Sequence, residues 1–419
     1  MAFESSSSNN SSTLSKEWSF RSTSSSSISN NSSTTTNYLL SHYIHINIEP
    51  AEKLIPVDHP YYKCIATLKT PNHHHISCLA THDKLLYAAS GNQITTFDLT
   101  TFCPVVSFEG RDLSSGGFIK SIAFYEDNKI LTAHQDSKIR VWKRHRLETT
   151  LPTIKDKLRR FACAKNYVQV RRNKRKLWIE HNDAVSGMTL SNGLIYTVSW
   201  DKTLKIWRAS DYKCLESLTA HEDAVNAVVV SSNGTVYTGS ADGTIIVWER
   251  GNDKGVRHSW VCTLENHRST VVNALALSKD GKVLLSGGCD GVIMAWEKEG
   301  ENDRMVESEV VGSHDGAVLC LLGLDGHDLF VSGGADRTVR IWGRGEGECG
   351  NGSRGLFCCL GVLEGHDKPV RSLAVAAALS RTENGVVSVC SGSLDGEIKV
   401  WEIMVSQLIN NRPPYIKKY

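Results

Sequence analysis

The apolar positions of this chain fall in short, often alternating runs such as VNAVVV (225–230) and CLESL (214–218). Runs of that length bounded by turn residues predict β-strands rather than helices. The strands come with fixed landmarks. TAHQDSKIRVW (132–142), TVSWDKTLKIW (197–207), TGSADGTIIVW (238–248), SGGCDGVIMAW (286–296), SGGADRTVRIW (332–342) and SGSLDGEIKVW (391–401) share one frame: Ser or Thr, an Asp four residues later, a Trp six residues after that. A second landmark precedes most of these units. His181, His221, His267, His314 and His366 are each followed four residues later by Val185, Val225, Val271, Val318 or Val370, which opens the next strand.

Each unit therefore reads as a His loop, a strand, a turn, a strand carrying Ser or Thr, a turn carrying Asp, a strand ending in Trp, and an outer strand. Four strands repeated every ~40–60 residues are the composition of a propeller blade. The spacing has a physical reason. Residues two apart on a strand share a face, so Thr197 and Ser199 point the same way, Asp201 sits in the following turn, and Trp207 returns beside Thr197. A loop His then reaches the Asp, and the hydroxyl and indole N–H complete a buried chain of hydrogen bonds, because buried polar groups must be paired. Five sets are expected: His181/Thr197/Asp201/Trp207, His221/Thr238/Asp242/Trp248, His267/Ser286/Asp290/Trp296, His314/Ser332/Asp336/Trp342 and His366/Ser391/Asp395/Trp401.

The arrangement resembles the WD-repeat β-propellers over about residues 62–403. One departure is that the usual Asp after the strand-ending Trp is Lys143, Arg208, Glu249, Glu297, Gly343 or Glu402. Two further units carry incomplete sets. In ISCLATHDKLLYAASGNQITTF (76–97) Phe97 replaces Trp and Gly91 stands at the Asp position; in the unit of Asp136 and Trp142, Ser115 stands where His is expected. The total is seven blades, an all-β fold. YKCIATL (62–68) lacks a partner in its own unit, and the last unit ends at Trp401 without an outer strand. Pairing the two would close the ring and remove both sheet edges.

Composition narrows the reading. The chain has 419 residues, 40% hydrophobic, with a formal net charge of +2, so no global field favours nucleic acid or membrane. The twelve cysteines include no C-x-x-C pair, which argues for reduced thiols and against a zinc site. No apolar run approaches the ~20 residues that span a bilayer. Residues 5–37 are mostly Ser, Asn and Thr, so 1–50 is expected to be a disordered tail with too little apolar surface to fold; such a head can alternatively be a chloroplast transit peptide. Residues 404–419 form a C-terminal extension.

Neither catalysis nor a cofactor or metal is expected. His–Asp pairs beside Ser or Thr look like hydrolase triads, but they recur blade after blade with a Trp, whereas a nucleophile needs a unique, exposed position. Gly345–Gly350 matches G-x-G-x-x-G, yet no helix pattern follows and its two Glu residues would repel phosphate. His73, His74 and His75 fall where other units carry their loop His.

Two features point to partners. An insertion at 154–180 separates blades two and three; between 155 and 176 it has ten basic residues and one acid, with amphipathic character in Leu158, Phe161 and Tyr167. Its RRNKRK run (171–176) resembles a nuclear import signal. Trp200 stands where other units carry Gln135, Ala241, Cys289, Ala335 or Leu394, a position expected at the ring face beside the central channel. Trp200, Arg171, Arg172, Lys174, Arg175 and Lys176 are thus candidate contacts, an aromatic anchor with basic steering.

The stretch 151–188, joined to YTVSWDKTLKIW, is similar to the plant JINGUBANG group of WD-repeat proteins. That resemblance implies a non-enzymatic regulatory scaffold linked to pollen germination. The chain itself reads as a monomer that binds other proteins in cytoplasm or nucleus, the compartments that reduced thiols and the basic run suggest. Two rival readings are a substrate receptor of a cullin-type ubiquitin ligase, against which no repeat ends in W-D-x-R, and an RNA-binding propeller using the insertion, whose Phe161, Tyr167 and Trp178 are sparse for base stacking.

Overall fold

The computed structural model describes residues 61–410 apart from 71–73, 110–116, 127–128, 172–173, 252–256, 266–269, 301–303, 325–327, 345–355 and 381–384. The 1–50 tail, Ser115, His73, His267, Arg172, the Gly345–Gly350 loop and the end of the C-terminal extension lie outside the described residues.

The described residues build seven four-stranded antiparallel sheets and one two-stranded ribbon. Blade 1 comprises Ile76–His82, Leu85–Ser90, Gln93–Asp98 and Pro104–Glu109. Blade 2 comprises Ile119–Tyr125, Lys129–His134, Ile139–Lys143 and Arg146–Leu151; blade 3 comprises Val185–Ser191, Leu194–Ser199, Thr203–Arg208 and Cys214–Thr219. Blades 4 to 6 open at Val225, Val272 and Val318 and close with His258–Leu264, Arg304–Ser313 and Phe357–Leu363. Blade 5 thus opens one residue later than the His267 spacing predicts; Val271 instead accepts the backbone N–H of Cys289, the place Ala184 holds for Trp200. The innermost strands touch in sequence around the ring, and that of blade 7 touches that of blade 1.

Closure follows the pairing expected of the unpartnered first strand. Tyr62–Lys69 lies antiparallel to Glu397–Met404 as the outer strand of blade 7, with Tyr62 opposite Ile403 and Leu68 opposite Ile398. Lys63–Glu402 and Lys69–Glu397 ion pairs at 3.0 and 2.9 Å flank the seam. Their lysine ends are exposed, so the pairs add little; the seam is held by its backbone ladder.

The core lies between blades. Trp207 of blade 3 packs with Leu131 and Val141 of blade 2, Trp248 with Leu194 and Ile206 of blade 3, and Trp342 with Val283 and Leu285 of blade 5. Phe97 does the same against Ile398 and Val400 of blade 7. Each landmark aromatic is therefore the wedge its blade presses onto the previous one, and a cavity there would cost about 3–5 kcal/mol.

The insertion is a helix, Ile154–Arg160, followed by the hairpin Tyr167–Arg171 and Lys174–Leu177. Thr153 caps the helix by accepting the Asp156 N–H at 3.2 Å. Leu151, Leu177 and Ile179 anchor the segment in the cluster between blades 2 and 3, with Tyr167 and Trp178 against it. Among the described residues no helix is long and apolar enough to cross a membrane.

Candidate partner-binding face

The side chains of four sets meet as chains of hydrogen bonds. In blade 3, Trp207 Nε1–H donates to Thr197 Oγ1 at 3.0 Å, that hydroxyl meets His181 Nε2 at 2.8 Å, and His181 Nδ1 meets Asp201 Oδ2 at 3.2 Å. Blade 4 repeats this with Trp248, Thr238, His221 and Asp242 at 3.1, 2.9 and 3.0 Å. Blade 6 uses Trp342, Ser332, His314 and Asp336 at 2.7, 2.6 and 2.9 Å, and blade 7 uses Trp401, Ser391, His366 and Asp395 at 2.7, 2.8 and 2.9 Å. One proton order satisfies every member: the indole donates to the hydroxyl, the hydroxyl to Nε2, and Nδ1–H to the carboxylate. In blade 5, Trp296 donates to Ser286 at 2.8 Å and Asp290 accepts from Thr270 Oγ1 at 3.2 Å.

Burial pushes His181, His221 and His366 below the ordinary imidazole value despite the carboxylate beside each. Burial alone would raise Asp201, but hydrogen bonds from His181, Thr203 and the Asn182 N–H hold it well below the usual carboxylate range. The imidazoles are thus neutral donors to charged acceptors. Each Asp also accepts the N–H two residues on and the N–H after the His, as Asp201 does from Thr203 at 3.1 Å and Asn182 at 2.7 Å, so it ties two loops together.

Blade 2 departs from the expectation of a set without His. His134, inside its second strand, meets Thr132 Oγ1 at 2.7 Å and Gly117 O at 2.7 Å, while Trp142 donates to the same Thr132 at 2.8 Å. Asp136 is taken instead by Arg140, through Nη1–Oδ1 at 3.2 Å and Nη2–Oδ2 at 2.6 Å, with both side chains nearly buried. The signal was present in the sequence: His134 stands where the other units carry Ser199, Ser240 or Ser393. Blade 1 does without a chain, with Tyr87 at the hydroxyl position and Phe97 at the Trp position, both buried.

A second regularity escapes a period-two reading. In every blade, a bulge interrupts pairing of the innermost strand at its second residue. The residues left out of register are Ser77, Lys120, Ser186, Asn226, Asn273, Leu319 and Arg371. All seven line one cavity of about 260 Å³ in the central channel, and Trp200 lines it too. A bulge re-aims a side chain; here the same bulge, once per blade, turns a ring of side chains inward.

Trp200 is 38% exposed. The Lys120 ammonium of blade 2 lies 5.3 Å from its ring centroid. The indole therefore stands at the channel and reaches over the neighbouring blade. Phe118, 52% exposed, directly precedes the innermost strand of blade 2. The basic candidates are not equivalent. Lys176 donates to His181 O at 3.1 Å and so helps anchor the loop of blade 3. Arg175 is exposed, whereas the side chains of Arg171 and Lys174 lie outside the described residues. On the insertion helix, Ile154, Leu158 and Phe161 face solvent at 78, 61 and 57% exposure, while Tyr167 packs inward. Arg160 covers Trp178 at 5.4 Å. Of the three histidines 73–75, the structure describes His74 and His75, both exposed, and His75 Nδ1 contacts the Leu394 carbonyl. Among the described residues no cluster of His, Cys, Asp or Glu could hold a metal ion.

Comparison with known proteins agrees with this geometry. The WD40 family model (WD domain, G-beta repeat) matches residues 102–143, 173–208, 212–249, 259–297, 307–343 and 357–402, more than half of the chain. Ribosome biogenesis protein YTM1 of Candida glabrata is 31% identical over 148 residues, 33% of this chain and 29% of that protein. The Denticleless protein homolog of Gallus gallus is 28% identical over 120 residues, 29% of this chain and 14% of that protein. Anaphase-promoting complex subunit cdc20 of Dictyostelium discoideum is 32% identical over 152 residues, 36% of this chain and 29% of that protein. The chain spans less than a third of the length of each. The matched repeats take in every unit that ends in a landmark Trp and pass over the inner strands of the Phe97 unit, and on that basis the chain belongs to the WD40 repeat family.

Proposed function

We propose that this propeller is a non-enzymatic scaffold that gathers protein partners, with the channel face around Trp200 as its main contact and the insertion as a second. WD40 propellers typically bind other proteins. The observation that carries the reading is the position of Trp200: a large, part-exposed indole at a channel whose other blades offer small or flexible side chains there. Aromatic anchors of this kind dominate binding energy. The outward stripe of Ile154, Leu158 and Phe161 on a basic helix supports the second contact, since exposed apolar patches mark interaction sites.

The likeness of residues 151–188 to the JINGUBANG group supports a regulatory role in plants, linked to pollen germination, and the RRNKRK run supports nuclear entry. The rivals carry less. The cullin-receptor reading has no structural feature of its own here, and RNA binding through the insertion has its Trp178 already covered by Arg160.

The test is affinity capture with the full chain beside Trp200→Ala and the pair Leu158→Glu/Phe161→Glu. Both variants should keep the wild-type melting temperature and lose captured proteins. Unchanged capture by both overturns the reading.

A further inference from the structure

We propose that the channel binds the phosphorylated side chain of a peptide segment, its phosphate ester held between Lys120 and Arg371 beside the Trp200 indole. This rests on the reading that protein partners seat on the channel face.

The bulge delivers one side chain per blade into the cavity, and two of the seven are cations. Lys120 comes from blade 2 and Arg371 from blade 7, with Ser77 of blade 1 between them in the ring. Among the described residues, the cavity lining contains no Asp or Glu. Among the described residues, neither Lys120 nor Arg371 forms an ion pair. Two like charges without a counter-charge oppose one another in a confined space, and the ammonium shows it: burial pushes Lys120 below its ordinary value, and the charge of Arg371 adds to that. An anion would relieve both effects.

Charge and size select the anion. A phosphomonoester carries about −1.5 to −2 at neutral pH and three acceptor oxygens, which matches two cations better than a carboxylate does. The Arg fork can take two oxygens and the ammonium the third. Asn226 and Asn273 each spend one amide N–H on the next blade's carbonyl, Val272 O at 3.0 Å and Val318 O at 3.1 Å, and keep a second. A cavity of about 260 Å³ suits the head of one side chain, below the usual range for a drug-sized ligand. The exposed face of Trp200 is left for a residue flanking the phosphate.

The experiment uses the full chain and labelled peptide pools with random flanks around a fixed central phosphoserine, serine or glutamate, read by fluorescence anisotropy. The phosphoserine pool should bind at least about tenfold more tightly than the other two, the worth of one charge-assisted hydrogen bond. Lys120→Met and Arg371→Met should each abolish that preference, and Lys120→Arg should keep it, all at unchanged melting temperature. Equal binding of the three pools, glutamate matching phosphoserine, or a preference that survives both methionine variants overturns the assignment. Inorganic phosphate competing as well as the phosphoserine pool would place a free ion there and overturn the peptide. If the pools fail while Trp200→Ala still releases captured partners, the scaffold stands and this site falls. If the pool binds while capture ignores Trp200, the site stands and the wider reading falls.

Discussion

Asp136→Ala should destabilise the propeller more than Asp242→Ala, although Asp136 belongs to the unit without a loop His. Removing Asp242 strips a partner from neutral His221, from the Glu222 N–H at 3.0 Å and from Thr244. Leaving such donors unpaired costs about 1–3 kcal/mol. Removing Asp136 leaves the Arg140 guanidinium with 7% side-chain exposure and, among the described residues, no other acceptor. Breaking a buried pair from one side costs about 3–5 kcal/mol, because the surviving charge stays desolvated. Taking both partners away removes that penalty, so Asp136→Ala/Arg140→Met should recover most of the loss. The assay is urea denaturation of wild type, Asp136→Ala, Asp242→Ala, Arg140→Met and the double variant, with the coupling read from the cycle. Asp136→Ala costing no more than Asp242→Ala, or a double variant as unstable as Asp136→Ala, would refute the reasoning.

Acid should weaken the fold in two stages. His181, His221 and His366 have folded values pushed below the ordinary 6.5, so the unfolded chain binds more protons below that pH and stability drops from pH 7 towards pH 5. Asp201, Asp242 and Asp395 are also held low, and their contribution is present above the ordinary carboxylate value and disappears below about pH 4. A melting temperature that is flat or rises between pH 7 and 5 contradicts this. Deleting residues 1–70 should expose the Glu397–Met404 edge and cause aggregation, measured by light scattering; a soluble, monomeric product would sink the closure argument.

The ring was legible because its landmarks are covalently spaced. A Trp that must wedge onto the previous blade and an Asp that must tie two loops cannot drift in sequence, so Trp207, Asp201 and their counterparts stand out. What was hidden depends on departures from regular geometry. The bulge at Lys120 and Arg371 breaks the two-residue alternation, so strand periodicity alone does not say that they face the channel. The part His134 plays is hidden in the sequence because its imidazole arrives from the strand itself and not from the preceding loop. The amphipathic pattern of Leu158 and Phe161 was visible, but Leu151, Leu177 and Ile179 took the buried positions and left that stripe outside.

The most direct test of the account is the dissociation rate of a captured, purified partner from the immobilised full chain, wild type against Trp200→Ala. The side chain is part-exposed and Trp207 still completes blade 3, so the variant should melt as wild type does. Losing an aromatic anchor worth about 2 kcal/mol should speed dissociation on the order of 30-fold, equally at low and high salt. An unchanged dissociation rate, or a variant that unfolds, would show that the indole serves packing and would contradict the account.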